Sequence, residues 1–477
     1  MTRLPLDNAG LTTTSSGPDP AAASPAPIGI KLRLYDAAMR VAEPLVPVIL
    51  SRRAKAGKED PARRGERFGV ASVPRPPGEL AWIHAASVGE LNAVLPLMAA
   101  LRAGRPSLRF LVTTGTTTSA ALAAGRLNAH DIHQYIPLDV PRFVRRFLDH
   151  WQPNLAVFTE SELWPNLIIG AANRKIPLAL VNGRLSVRSY DRWLTQQSIS
   201  RPLLSRFAVI LAQSEKLSRW FSIIGARRTI TAGNLKVDAP PLPVDERTLH
   251  ELQAALGTRP RLLIACTHEG EEEMAADAHR SLTATVPDLC TIIAPRHPER
   301  GVAIATLLQA RGIKVTQRSA GHSPDTATEI YIADTIGELG TLYRLCPVAY
   351  LGKSYGAGPA TKGGQNPIEA IRHGAAVLTG PHVGNFQEIY RALFEHKGAV
   401  VVESAAALSA AVRRLLDTPA ALAELNAGAT AACTQLSGAL ALTVETLLTL
   451  LPAVPIATCE PAGDSAEAPA HRLVRAS

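Results

Sequence analysis

The sequence predicts an α/β protein built from two doubly wound halves, each with a parallel sheet. Three observations predict it. The chain has 477 residues, more than a single core comfortably holds. From about Leu80, short apolar runs alternate with helical patterns of roughly ten to fifteen residues, the signature of βαβ units. A Pro-rich stretch, Asp238 to Asp245 (DAPPLPVD), interrupts this alternation, which then starts again.

In order, LAWIHAAS reads as a strand and turn, followed by the helix VGELNAVLPLMAALRAG. LRFLVTTG, IHQYIPLD, LAVFTES, PLALVNG and FAVILAQS continue the first half, with TTTSAALAAGRL as a helix between the first two. After the linker come RLLIACTHEG, TIIAPRHPE, IKVTQR, EIYIADT, VAYLGKS, AAVLTGP and GAVVVES. The expected units are 70–240 and 241–450, with the ligand cleft between them, where such sheets place their sites. Residues 1–27, rich in Ala, Pro, Ser and Thr, and 451–477 are expected to be a disordered leader and a flexible tail.

Residues 28–69 form a separate expectation. IGIKLRLYDAAMRVAEPLVPVIL is apolar but broken by charges and by Pro44 and Pro47. No segment is expected to cross a membrane, there or elsewhere, for want of an uncharged span of some 18 residues. An interfacial anchor fits better, because ten Lys/Arg against five Asp/Glu lie between Lys31 and Arg67. The alternative is a short soluble helix with a solvated basic face. The whole chain carries +9, with aromatic content of only 5%, which disfavours single-strand nucleic-acid binding and points to anionic lipid or substrates. Five scattered cysteines without a CxxC pair argue for reduced thiols and against structural zinc.

The candidate site residues sit at predicted strand ends. GGQNPIEAIRHGAAVLTGPHVGNF (Gly363 to Phe386) predicts a turn, then a helix opened by Asn366, Pro367, Ile368 and Glu369. Free N–H groups there suit a phosphate and the carboxylate a sugar diol. An ordinary αβ connection is the alternative. Glu90, in SVGE, is either a helix-dipole carboxylate or a base for an attacking hydroxyl. In TESELWPN, Glu160 and Glu162 do not share a helix face, so one is expected at the substrate and the other capping the next helix. Lys236 precedes the linker, near the cleft, although a lone lysine is usually a solvated charge. Thr267 is a candidate phosphate contact, and Arg296 with His297 suits phosphate or carboxylate. Gly337, Glu338 and Leu339 offer backbone groups to a base or ribose. THEGEEE lacks the second His of a zinc motif, Gly352-Lys353-Ser354 lacks the upstream Gly of a P-loop, and no D-x-D occurs.

These blocks together resemble the 3-deoxy-D-manno-oct-2-ulosonic acid (Kdo) transferases of Gram-negative bacteria. The likeness runs from about Tyr35 to Glu388 through GKEDPARRGERFG, HAASVGE, TESELWPN, NGRLSVRS, GNLKVD, THEGEEE, PRHPER, DTIGEL and GGQNPIEA…GPHVGNF. It implies the GT-B fold, with an acceptor-binding first half and a nucleotide-sugar-binding second half. It also implies inverting transfer of Kdo from CMP-Kdo to a lipid A precursor at the cytoplasmic face of the inner membrane. No metal or other cofactor and no nucleic-acid partner is expected. The resemblance implies Glu90 as general base and Glu160 with Lys236 as a transition-state pair. It makes Arg296, His297, Gly337 to Leu339 and Asn366 to Glu369 the CMP contacts. Another nucleotide sugar as donor, or a catalytically inactive scaffold, are the alternatives. The chain departs from the family at Gln365, usually His, at Ile371, usually Pro, and at Cys266, where Ser is frequent.

Overall fold

The computed structural model describes residues 24–356, 358 and 362–453, so most of the expected leader and the tail from 454 lie outside the described residues. Two seven-stranded sheets form, and every strand pair described is parallel. The first holds β1 (Leu80–His84), β2 (Arg109–Thr114), β3 (Ile132–Tyr135), β4 (Leu155–Thr159), β5 (Leu178–Gly183), β6 (Val209–Ala212) and β7 (Thr229–Thr231), in the order β3-β2-β1-β4-β5-β6-β7. The second holds β8 (Arg261–Thr267), β9 (Cys290–Pro295), β10 (Val315–Gln317), β11 (Ile330–Ile332), β12 (Val348–Leu351), β13 (Ala376–Thr379) and β14 (Ala399–Val401). Its order is β10-β11-β9-β8-β12-β13-β14. Every predicted strand is present. The one addition, β7, is a three-residue edge strand of sequence TIT, too short and polar to announce itself.

Strands β1, β4, β5 and β6 are buried along their whole length because helices cover both faces of the sheet, as parallel sheets require. Trp82, Phe147 and Phe158 fill one side of the first sheet, and Ile83, Leu97 and Phe110 the other. The second sheet is packed likewise around Tyr331, Tyr343 and Tyr390 on one face and Ile264, Met274 and Tyr350 on the other.

Three expectations change. Residues 28–69 are part of the first domain. Leu32 joins its core, Val46 and Leu50 pack on Val140 and Phe143, and Tyr35 Oη donates to Asp139 at 2.9 Å. Much of the basic strip is spent internally: Arg53 and Arg67 on Glu59, Arg63 on Glu66. The second unit does not run to 450. The helix Ala439–Leu448 packs on Val88–Gly104, and Leu447 and Leu451 enter the first domain's core. Asp238 of the linker caps this returning helix through Gly438 N–H (3.1 Å) and Leu440 N–H (2.7 Å), so both crossings between the domains are tied together. Finally, residues 425–444 carry no Asp, Glu, Lys or Arg, against the expectation that no such run exists. Pro419–Leu448 has the length and composition of a membrane span. It is broken into two helices at Gly438, which has φ 102°, and it buries Leu425, Ala429 and Ala432 in the second domain.

Candidate active site

Four non-glycine residues with left-handed backbone mark where the two sheets face each other. Glu160 (φ 52°), Asn182 (53°), Cys266 (56°) and Lys353 (57°) sit at or just beyond the C-terminal ends of β4, β5, β8 and β12. Each such conformation costs on the order of 1–3 kcal/mol and gathers at functional sites. Between these edges lies a cavity of about 590 Å³, within the range of small-molecule sites. Asn92 and Lys236 line it from the first domain, and Cys266, Arg296, Gln365 and Glu369 from the second.

Glu90 opens the helix after β1, flanked along the chain by the cavity-lining Gly89 and Asn92. Ser87 caps that helix, accepting from Glu90 N–H at 3.3 Å while its hydroxyl donates to Glu90 Oε1 at 2.9 Å. Ala86 N–H (2.9 Å) and Thr159 Oγ1 (2.7 Å) both donate to Oε2. Oε1 thus has one protein donor and Oε2 two. Burial raises the Glu90 carboxyl above its ordinary value, the three donors oppose this, and the nearby negative Glu160 adds to the rise. That is the electrostatic setting of a general base.

Glu160 turns its carboxylate to Lys236, whose Nζ donates at 2.7 Å, and Arg184 lies 3.8 Å away on the other oxygen. The segment carrying Lys236 is fixed by Asn182, whose Oδ1 accepts from Leu235 N–H at 3.1 Å. Glu162 does not cap the next helix. It accepts from Trp164 Nε1 at 2.8 Å and approaches His84 Nε2 at 3.7 Å. Burial works against its charge, yet these partners hold its carboxyl below the usual range. The cap belongs to Asp139, which accepts from Asn166 and Leu167 N–H at 3.0 and 2.9 Å.

In the second domain, Arg296 follows β9 with its guanidinium unpartnered among the described residues. His297 is exposed and 3.6 Å from Glu299, outside the cavity wall. The helix after Asn366 has only five residues, Pro367–Ile371, so the expected helix-terminus phosphate site reduces to a cap. Asn366 accepts from Ile368 N–H and donates to Glu369 Oε1, each at 3.2 Å. Burial raises Glu369, while Arg296 and Lys236 lower it, which places all three around one cavity. Pro367 is buried, and Ile368 and Leu339 line the wall. Gly337 is left-handed at φ 95°, and the Glu338 side chain is occupied by Arg318, with Nε donating at 2.6 Å.

Thr267 is not a phosphate contact. Its buried hydroxyl donates to Glu272, which also takes Arg300. Glu271, wholly buried, accepts from the backbone N–H groups of His268, Lys353, Ser354 and Tyr355. THEGEEE is therefore a clamp that orders the loops around it. Thr159 and Asn182 open the blocks TESELWPN and NGRLSVRS, yet their roles, like that of Asp139, depend on partners far away in sequence. Among the described residues no group of three or more His, Cys, Asp or Glu is placed to hold a metal.

Residues 62–239 match the family model described as 3-deoxy-D-manno-octulosonic-acid transferase (kdotransferase). A probable mitochondrial 3-deoxy-D-manno-octulosonic acid transferase of Arabidopsis thaliana is 36% identical, over 81% of this chain and 88% of that protein. The chain belongs to the Kdo transferase family. The 3-deoxy-D-manno-octulosonic acid transferase of Haemophilus influenzae is 34% identical, over 83% and 93% of the two chains. As a Kdo transferase this protein is an enzyme, a glycosyltransferase. Its two-domain architecture is GT-B. The UDP-GlcNAc 2-epimerase of Neisseria meningitidis, solved with UDP-GlcNAc, superposes with a TM-score of 0.54 over 78% of this chain and 100% of that one. At 13% identity this similarity concerns the fold.

Proposed function

We propose that this Kdo transferase moves Kdo from CMP-Kdo onto a hydroxyl of a lipid A precursor of the lipid IVA type, in lipopolysaccharide core assembly. The reading rests on one arrangement above all: a partly buried carboxylate, Glu90, at the first-domain edge beside the cavity-lining Gly89 and Asn92, with the guanidinium of Arg296 on the second-domain wall. Glu90 Oε1, with its single protein donor, takes the acceptor proton as the hydroxyl oxygen attacks the anomeric carbon. The bond from that carbon to the phosphate oxygen breaks, and CMP leaves with the electron pair. Attack opposite CMP inverts the anomeric centre. Arg296 and Lys236 stabilise the developing phosphate charge, and Glu160 holds Lys236 in place. The backbone of Gly337 to Leu339 and the Asn366 to Glu369 segment take the nucleoside, with His297 at the margin. The first domain holds the acceptor and the second the donor. With protein cations meeting the leaving group, transfer proceeds without a metal.

We place the enzyme at the cytoplasmic face of the inner membrane, on anionic lipid. Ile30, Leu34, Val41, Leu45, Val48 and Ile49 are all at least half exposed on the N-terminal helices, beside Arg52 and Lys55. Because Leu32 and Leu50 are core residues, the test keeps the helices and changes their outer face. Val41→Asp with Val48→Asp should release the protein from anionic vesicles, and unchanged binding would move the contact elsewhere. The reaction is tested with CMP-Kdo generated in situ, lipid IVA in detergent and EDTA. A product heavier by Kdo supports the reading. Transfer from a UDP-sugar in its place, or recovery only with added metal, would contradict it.

A further inference from the structure

The central strands of the second sheet deliver a row of cationic or hydrogen-bonding side chains that the catalytic reading uses only in part. His268 follows β8, Arg296 follows β9 and Lys353 follows β12, and these strands are adjacent in the order β9-β8-β12. Their backbones are locked together. Glu271 accepts from the N–H of both His268 and Lys353, at 2.9 and 2.8 Å, and Arg296 N–H donates to Thr267 O at 3.1 Å. Gly352 permits the closest approach, since a Cβ there would stand 2.5 Å from Cys266 O. Lys353 therefore lies one strand beyond the cavity-lining Cys266.

Among the described residues the row makes no ion pair, and Glu369 acts on its Arg296 end. Neither Lys353 nor Arg296 has a side-chain ion pair, and Glu271 is committed to backbone N–H groups. His268 Nε2 is buried without a partner, and its ring meets His297 edge-on at 5.9 Å. Burial, then Lys353, then His297 push the His268 imidazole down to about 4, so it stays neutral near pH 7 and keeps one N–H to donate. A partly buried ammonium held on a left-handed backbone, beside an imidazole with an unsatisfied buried nitrogen, is suited to receive a ligand anion.

Resting on the proposed CMP-Kdo reading, we infer that Lys353 and His268 form a subsite for the carboxylate of the donor's sugar acid, separate from the phosphate contact at Arg296. A CMP-linked sugar acid carries two anions, a phosphodiester and a carboxylate, and the row offers two permanent cations. Gly364 N–H donates to Lys353 O at 2.8 Å, so Lys353 and the cavity-lining Gln365 are neighbours.

The test is Lys353→Gly, which removes the ammonium and suits the φ of 57°, with Lys353→Gln as a second variant and thermal melting as a check on folding. For each protein, CMP inhibition and kcat/KM for CMP-Kdo are measured. Loss of one charge-assisted contact predicts a fall in kcat/KM of about 10- to 100-fold, with CMP inhibition changed by less than about twofold. Adding Gln365→His to Lys353→Gly should recover much of that loss. Equal losses for CMP and CMP-Kdo would make Lys353 a phosphate ligand and overturn the subsite, as would no loss at all. If the wild type transfers no Kdo, the reading of the reaction fails. Competition of fresh CMP-Kdo against CMP then still decides the subsite, because only a carboxylate contact makes the variants bind CMP-Kdo worse and CMP equally well.

Discussion

The two domains present the same kind of edge to the cleft with opposite electrostatics. The first sheet ends in carboxylates, and each is held: Glu90 by Ala86, Ser87 and Thr159, Glu160 by Lys236, Glu162 by Trp164. The second ends in Arg296, His268 and Lys353, whose side chains make no ion pair among the described residues; of its carboxylates, Glu271 is buried as backbone glue and Glu369 feels Arg296 across the cavity. A fold that binds ligands at strand ends can thus be tuned residue by residue. On the proposed reading, pinned acids activate an incoming hydroxyl. On the same reading, open cations receive a departing phosphate.

Changes on either edge should break this contrast in different ways. The largest effect falls on the base. Glu90→Gln keeps the shape but cannot take the proton, so kcat for Kdo transfer should fall by about 10²–10⁴; a variant within a few-fold of wild type would remove Glu90 from the role. Next is Arg296→Ala, which should cost about 10²–10³ in kcat/KM and weaken CMP inhibition in parallel. Unaltered CMP inhibition would take Arg296 off the phosphate.

Glu160→Gln sharpens the comparison within the acidic edge. Burial, and then the negative charge of Glu160, hold Glu90 above its ordinary value, and an active base must be deprotonated. Removing the neighbouring charge lowers the Glu90 pKa, so the acid limb of the kcat/KM profile should move to lower pH. An upward move would show that the lost Lys236 contact matters more than the removed charge.

The smallest effect concerns stability. Asp139 joins Tyr35 of the outward-facing helix to the helix after TESELW, and burial pushes its carboxyl up to about 7. Asp139→Ala leaves buried donors unmet and should cost about 2–3 kcal/mol in urea unfolding. The sign of the pH effect follows from the raised value. The stability contributed by the protonated carboxyl is complete below the ordinary Asp range and is lost as pH rises through about 7. Asp139→Asn should therefore flatten the stability profile there, and an unchanged slope would assign the pH dependence elsewhere.

Much of this is legible in the sequence, for identifiable reasons. Runs such as LAWIH and TIIAP are apolar throughout because both faces of a parallel strand are covered, and turn residues follow them. Candidate site residues that follow such runs, Glu90, Glu160 and Arg296, can be proposed from position alone. The roles of Thr159, Asn182 and Asp139 cannot be read this way, since their partners lie 69, 53 and 104 residues away. Lys353 sits in a GKS run that imitates a P-loop, and its significance appears only when β12 lies beside β8. The return of 439–451 to the first domain is hidden too, because an Ala-rich helix does not name the surface it packs on.

The most direct test of the division between the edges is CMP titration of Glu90→Ala and Arg296→Ala side by side, with transfer measured on the same preparations. The account predicts two inactive or crippled enzymes, of which Glu90→Ala binds CMP like the wild type and Arg296→Ala does not. Equal CMP affinity in both variants, or loss of it in Glu90→Ala alone, would contradict it.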